Sequence, residues 1–186
     1  MSLAVDEYPN PGAPTLVLVH GFTQNARCWG DLPIRLQQRF RVVAVDAPGH
    51  GRTPPDHDEA DLVEAARLIG EAGGRARYLG YSMGGRMCLQ LACDQPELVE
   101  QLVVVGATAG LADPVARAER RAADDLLAAD LLASGLPAFL DRWLALPLFA
   151  GLAPDAAALP ARLENRPEGL ASSLRRCGTG SQAPLW

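Results

Sequence analysis

The chain of 186 residues has no lysine; its 17 basic residues are all arginine. Schiff-base chemistry and phosphate-loop transfer both lose the side chain they ordinarily use. The planar, forked guanidinium favours carboxylate partners instead. Cysteine is scarce: Cys28, Cys88, Cys93 and Cys177 form no C-x-x-C pair and no cluster of zinc-site spacing. Reduced, mostly buried thiols are expected, and no metal. Histidine is rarer still, and His20, His50 and His57 all precede residue 82. No apolar run is long enough to cross a bilayer. The opening "MSLAVDEYPNPGAP" has neither the basic start nor the apolar stretch of a secretory signal. A cytoplasmic chain without a membrane partner is the reading. A net charge of -5 argues against nucleic acid as the main partner. The hydrophobic fraction of 48% is that of a soluble domain with a real core. Oligomeric state leaves no mark on the sequence.

What is present is an alternation. "TLVLV" (15–19), "RVVAV" (41–45), "ARYLGY" (76–81) and "LVVVG" (102–106) are short, largely apolar runs. Continuous apolar runs suit strands buried on both faces, hence a parallel sheet. Helical spacing lies between them. Trp29, Leu32, Leu36 and Phe40 share one face, and so do Leu62, Ala66 and Ile69, ahead of a stop at Gly73-Gly74. Strand and helix in alternation predict an α/β fold with a mostly parallel sheet and helices on both faces. After Thr108 the strand signal ends. Asp113-Pro114 reads as an N-cap and first helical residue. From there to about Arg176 the chain is rich in Ala, Leu and Arg, with three or four helices broken near Gly135, Pro147, Pro154 and Pro167. The predicted division is a core over 1–108, a helical lid over 109–176 and the start of a return to the core over 177–186.

Three motifs carry the chemistry. Gly80-Tyr81-Ser82-Met83-Gly84 sits at a strand-to-helix junction, where a sharp turn holds the central side chain exposed and small neighbours let backbones pass closely. A helix N-terminus there favours developing negative charge. The plainer alternative is a serine N-cap at a glycine-packed junction. His20-Gly21-Phe22 follows the first buried run, and the Phe22 N–H together with that of Met83 could form an oxyanion hole. The His20 side chain itself is expected to bond its loop. "DAPGHG" (46–51) builds a tight loop in which His50 serves structure, and His57, in an acidic stretch, reads as a solvated surface residue.

In this order the three motifs resemble the α/β-hydrolase superfamily, over residues 15 to about 108. A finer resemblance rests on "GYSMGGR", the Arg117/Arg120/Arg121 cluster, "FLDRWLALPLF" (139–149) and "LENRPEGLASSLRRCGTGSQAPLW" (163–186). These are similar to the 2-succinyl-6-hydroxy-2,4-cyclohexadiene-1-carboxylate synthases, which eliminate pyruvate in menaquinone biosynthesis. The resemblance implies Ser82 as the catalytic serine and Phe22 and Met83 as the oxyanion positions. It implies His20, Tyr81, Arg86, Arg120, Trp143 and Arg162 at the substrate, a small carboxylate-bearing molecule. Arg121 competes with Arg120, and Arg166 with Arg162; spacing does not decide. Arg86, one turn past Ser82, is either paired with an acid or a carboxylate anchor. No cofactor is expected.

The chain departs from the superfamily's order of serine, acid, histidine. No histidine follows Ser82, and the acidic candidates Asp141 and Asp155 lie in lid-like segments. The C-terminal strands of the fold are missing, which would leave an apolar sheet edge. These residues are therefore expected to be an incomplete piece of a longer polypeptide. Three activities fit: the pyruvate-eliminating lyase, a generic esterase or C–C bond hydrolase working through an acyl-enzyme, and a binding module or inactive fragment without a triad. Substitution by His20 or His50 for the base is disfavoured.

Overall fold

A computed structural model describes residues 2–153 and 156–186 of the chain. Five strands form one sheet: β1 (Val5–Tyr8), β2 (Thr15–Val19), β3 (Arg41–Val45), β4 (Ala76–Tyr81) and β5 (Val99–Val105), in the order β1-β3-β2-β4-β5. The pairs β3–β2, β2–β4 and β4–β5 are parallel, and β1 runs antiparallel along β3. The four apolar runs read from sequence are four of these strands, with β5 starting three residues earlier. β1 carries no such run. "VDEY" lies at the sheet edge and is only half-buried, so it leaves no continuous apolar signature.

The parallel strands place alternate residues on two faces. Val17, Val19, Val43, Val45 and Tyr78 pack under helices α2 (Leu62–Gly73) and α3 (Met83–Asp94). Leu16, Leu18, Val42 and Ala44 face the segment from Ala26 to Phe40. That segment is not the continuous helix its spacing predicted. A 3-10 turn (Ala26–Trp29) ends at Gly30 (φ 55°), and a short α1 (Leu32–Leu36) follows. Trp29, Leu36 and Phe40 still reach the sheet, which explains the pattern. At the far edge, Val103 and Val105 are 51% and 47% exposed.

The remaining helices are α4 (Pro114–Ser134), α5 (Leu136–Leu144), α6 (Leu159–Arg162) and α7 (Pro167–Cys177). Asp113 caps α4 by accepting from Val115 N–H, Gly135 separates α4 from α5, and Pro147 and Pro167 each open the helical element that follows. The break expected near Pro154, like Asp155, lies outside the described residues. α4, α5 and α7 share a second core of Ala128, Leu131, Phe139, Leu140, Leu170 and Leu174, which Phe22 joins to the sheet's carboxyl edge. Cys88 and Cys177 are buried, but Cys28 is half-buried and Cys93 exposed, fewer buried thiols than composition suggested. Among the described residues no helix is long and apolar enough to span a membrane, and no three His, Cys, Asp or Glu side chains gather around a common point.

Candidate active site

The carboxyl ends of β2 and β4 and the helical layer enclose a cavity of about 260 Å³. Open sheets bind ligands at this edge because loops, freed from the ladder there, can shape a crevice. Ser82 stands on its wall. It joins β4 to α3 with φ 52° and ψ −113°, a conformation L-residues rarely adopt. The Ser82 N–H is held by the Val105 carbonyl at 2.8 Å, and the Gly84 N–H by the His20 carbonyl at 3.1 Å. A Cβ at Gly80 would lie 2.5 Å from the Gly84 oxygen, and one at Gly84 would lie 2.3 Å from the Val19 oxygen. The glycines are thus required by backbone crowding. Ser82 occupies the N-cap position of α3 at a glycine-packed junction, but its side chain caps no N–H of that helix.

Phe22 and Met83 line the cavity beside Ser82. Among the described residues, neither of their N–H groups donates a hydrogen bond within the chain. The turn presenting Phe22 is locked at both ends by Gln24, whose N–H donates to the Gly21 carbonyl (3.1 Å) and whose Oε1 accepts from the Gly21 N–H (2.9 Å). Gln24 also lines the cavity and was not picked out from sequence; a glutamine in a loop gives no motif. Ser173 and Thr108 were missed for the same reason.

The histidines are placed differently. His20 is 1% exposed and does not line the cavity, a correction to its expected substrate contact. Its Nδ1–H donates to the Gly21 carbonyl (2.8 Å) and its Nε2 accepts from the Ala47 N–H (3.1 Å), so both ring nitrogens are used by backbone. His50 packs on it, with ring centroids 5.1 Å apart, and donates Nδ1–H to the Pro48 carbonyl. Burial pushes the His50 pKa down to about 3, with His20 adding to the shift, and burial lowers His20 as well. His57 is half-buried with Nε2 shut away from a partner, so it is not a solvated surface residue. Asp141 is exposed on α5 and away from the cavity.

Tyr81, Arg86, Arg120, Trp143 and Arg162 all line the cavity. Arg86 is 7% exposed and makes no ion pair among the described residues; its Nη1 donates to the Cys177 carbonyl (2.6 Å) and Gln182 Oε1 (3.3 Å). Burial, opposed by the neighbouring Cys177 and Asp124, brings its pKa down to about 10, which leaves it charged at neutral pH. A buried guanidinium without a carboxylate is costly unless an anion completes it. Arg162 is 3% exposed, held by the Ala157 carbonyl (2.7 Å) and the Thr23 hydroxyl, its pKa also lowered by burial. Arg166 is forked onto Asp58 and Arg121 onto the Gly180 carbonyl, both away from the cavity. The structure therefore separates the pairs that spacing left open. Trp143 stacks on Phe139 (5.9 Å, 14°) and meets Phe22 edge-on (5.3 Å, 83°), forming an apolar wall.

The profile of the alpha/beta hydrolase family matches residues 16–185. A 2-succinyl-6-hydroxy-2,4-cyclohexadiene-1-carboxylate synthase of Salmonella agona is 35% identical over 181 residues, covering 94% of this chain and 71% of that protein. A Bacillus subtilis protein carrying that name provisionally is 35% identical over 198 residues, covering 97% of this chain and 70% of its own. The solved structure of MenH from S. aureus superposes with a TM-score of 0.88 at 28% identity, covering 100% of this chain and 74% of that one. The enol-lactonase of Burkholderia xenovorans, at 21% identity and a TM-score of 0.76, shares the fold.

Proposed function

The chain belongs to the alpha/beta hydrolase family, and on that premise we propose that its cavity binds a small polycarboxylate and presents Ser82 to it. The activity we assign is that of the synthases it is similar to: elimination of pyruvate from 2-succinyl-5-enolpyruvyl-6-hydroxy-3-cyclohexene-1-carboxylate. The carrying observation is the convergence on one cavity of a strained serine, two free N–H groups and three arginines, Arg86, Arg120 and Arg162. In this reading the arginines hold the substrate carboxylates by forked, charge-assisted hydrogen bonds. Once a base has taken the Ser82 hydroxyl proton, Ser82 Oγ removes a proton from the ring carbon next to the succinyl carbonyl. Phe22 and Met83 N–H stabilise the enolate oxygen, and its collapse shifts the ring double bond and breaks the C–O bond to enolpyruvate, which leaves as pyruvate. No histidine, aspartate or glutamate lines the cavity among the described residues. A base that activates Ser82 therefore has to reach it from outside this set. The chain spans 70–71% of the length of the synthases it matches.

Ligand binding and turnover separate in the test. The chain is titrated with the cyclohexene substrate, and pyruvate is followed by a coupled assay with imidazole added as the external base. Saturable binding, weakened about a hundredfold by Arg86→Ala, supports the carboxylate reading. Pyruvate release lost in Ser82→Ala supports the lyase. An ester burst without pyruvate release assigns an acyl-enzyme hydrolase instead, and unchanged binding in Arg86→Ala removes the anchor role.

A further inference from the structure

On α4, Asp124 faces Arg120 one turn earlier and its Oδ1 accepts from Arg120 Nε at 2.8 Å. Surface ion pairs at this spacing contribute little, but this one is unusual. The Asp124 side chain is only 6% exposed whereas that of Arg120 is 49% exposed. Its second oxygen, Oδ2, is buried without a hydrogen-bond partner. Burying a carboxylate so incompletely paired is costly.

The surroundings give that burial a purpose. Asp124 is wedged against the end of α7, where a Cβ on Gly178 would lie 2.4 Å from Oδ2. The preceding carbonyl, Cys177, anchors Arg86. The carboxylate is thus paired with one cavity-lining guanidinium, Arg120, and packs beside the turn whose Cys177 carbonyl holds the other, Arg86. Arg120 gives its Nε–H to Asp124, and among the described residues its two terminal nitrogens make no hydrogen bond. A guanidinium pinned at Nε is pre-organised, with its terminal edge free for a forked contact.

We propose that Asp124 is a positioning residue, which aims the terminal edge of Arg120 into the cavity for a substrate carboxylate and offsets the repulsion between Arg120 and Arg86. The proposal rests on the carboxylate-binding reading above.

The sign of one substitution decides it. Asp124→Ala removes both the negative charge beside an anion site and the acceptor of the Arg120 Nε–H; loss of the charge alone makes anions bind tighter. Positioning makes them bind weaker. The probe is trans-cyclohexane-1,2-dicarboxylate, titrated into the 186-residue chain and followed by tryptophan fluorescence and by the Arg120 Nε–Hε NMR signal. Asp124→Ala is expected to weaken binding about tenfold, to shift the Nε–Hε signal, and to have no further effect when combined with Arg120→Ala. Arg120→Lys, at a half-exposed position where folding is safe, keeps the charge but loses Nε and is expected to weaken binding to the same extent. Equal or tighter binding by Asp124→Ala, full affinity in Arg120→Lys, or an Asp124 effect that persists without Arg120 overturns the positioning role alone. Absence of saturable binding by the unsubstituted chain overturns the carboxylate reading and the proposal with it.

Discussion

The His20 carbonyl accepts the N–H of Gly84 at 3.1 Å, and a Cβ on Gly84 would lie 2.5 Å from that same oxygen. The loop that presents Phe22 and the helix that begins after Ser82 are thereby fastened backbone to backbone. Neither of these main-chain segments can yield, so Gly84→Ala is expected to cost about 2–3 kcal/mol and to abolish ligand binding by pushing Phe22 from Met83. Urea unfolding together with dicarboxylate titration checks both effects; a stable variant with normal affinity would contradict the coupling.

Strain at Ser82 gives a second expectation. The backbone φ of 52° at Ser82 costs any side-chain-bearing residue, on the order of 1–3 kcal/mol, while glycine adopts it freely. Ser82→Gly should be more stable than Ser82→Ala by about 1 kcal/mol, after glycine's entropy in the unfolded chain is subtracted. Thermal melts of the pair measure the strain directly, and equal melting temperatures would show that none is stored.

The buried His50 sets an acid limit. Its folded pKa of about 3 lies below the value of about 6.5 for an exposed imidazole. Between these values the unfolded chain binds a proton that the folded chain refuses. Stability is therefore full above about pH 6.5 and declines as pH falls, by at most about 1.4 kcal/mol per pH unit for this group. His20, lowered in the same direction, adds to the slope. Urea midpoints measured from pH 7.5 to pH 5 should fall more steeply for the natural chain than for His50→Asn. Parallel slopes would assign the acid sensitivity elsewhere.

Asn165 ties the helical layer to the loops below it. It is 5% exposed, accepts from the Gly51 N–H (2.7 Å) and donates to the carbonyls of Thr23 (2.8 Å) and Arg162 (2.9 Å). Asn165→Ala strands buried backbone groups on both sides and is expected to cost about 2–4 kcal/mol. Hydrogen exchange should rise at Gly51 and through 159–166, while β2 to β4 stay protected. Uniform acceleration across the sheet would show that the layer and the core unfold as one unit.

Motif order pointed to the serine and to the loop ahead of it, whereas the arginines came only with the family resemblance and in part as open alternatives. A GxSxG turn and an HGF turn are backbone devices, and their geometry is written in the glycines at Gly80, Gly84 and Gly21. Apolar runs exposed four strands because strands buried on both faces leave an unbroken apolar trace. β1, at an edge, left none. The segment from Ala26 to Phe40 kept a helical spacing although Gly30 broke the helix, since packing on the sheet constrains which side chains point inward and not how the chain passes between them.

Tertiary structure decided what spacing left open. Arg120 and Arg121 are adjacent in sequence, and the rotation of about 100° per residue along α4 sends one to the cavity and the other to the Gly180 carbonyl. Arg162 and Arg166 part in the same way, one to the Thr23 hydroxyl and the other to Asp58. His20 carries the name of a site residue, but its ring is consumed by two backbone partners. Gln24, Ser173 and Asp124 had no motif to announce them; their roles arise from partners 3 to 90 residues away. Residue order determined which chemistry this chain can carry, because turns and strands are local. Which side chains share one cavity was settled by packing, because burial, charge and hydrogen bonding depend on neighbours that only the fold supplies.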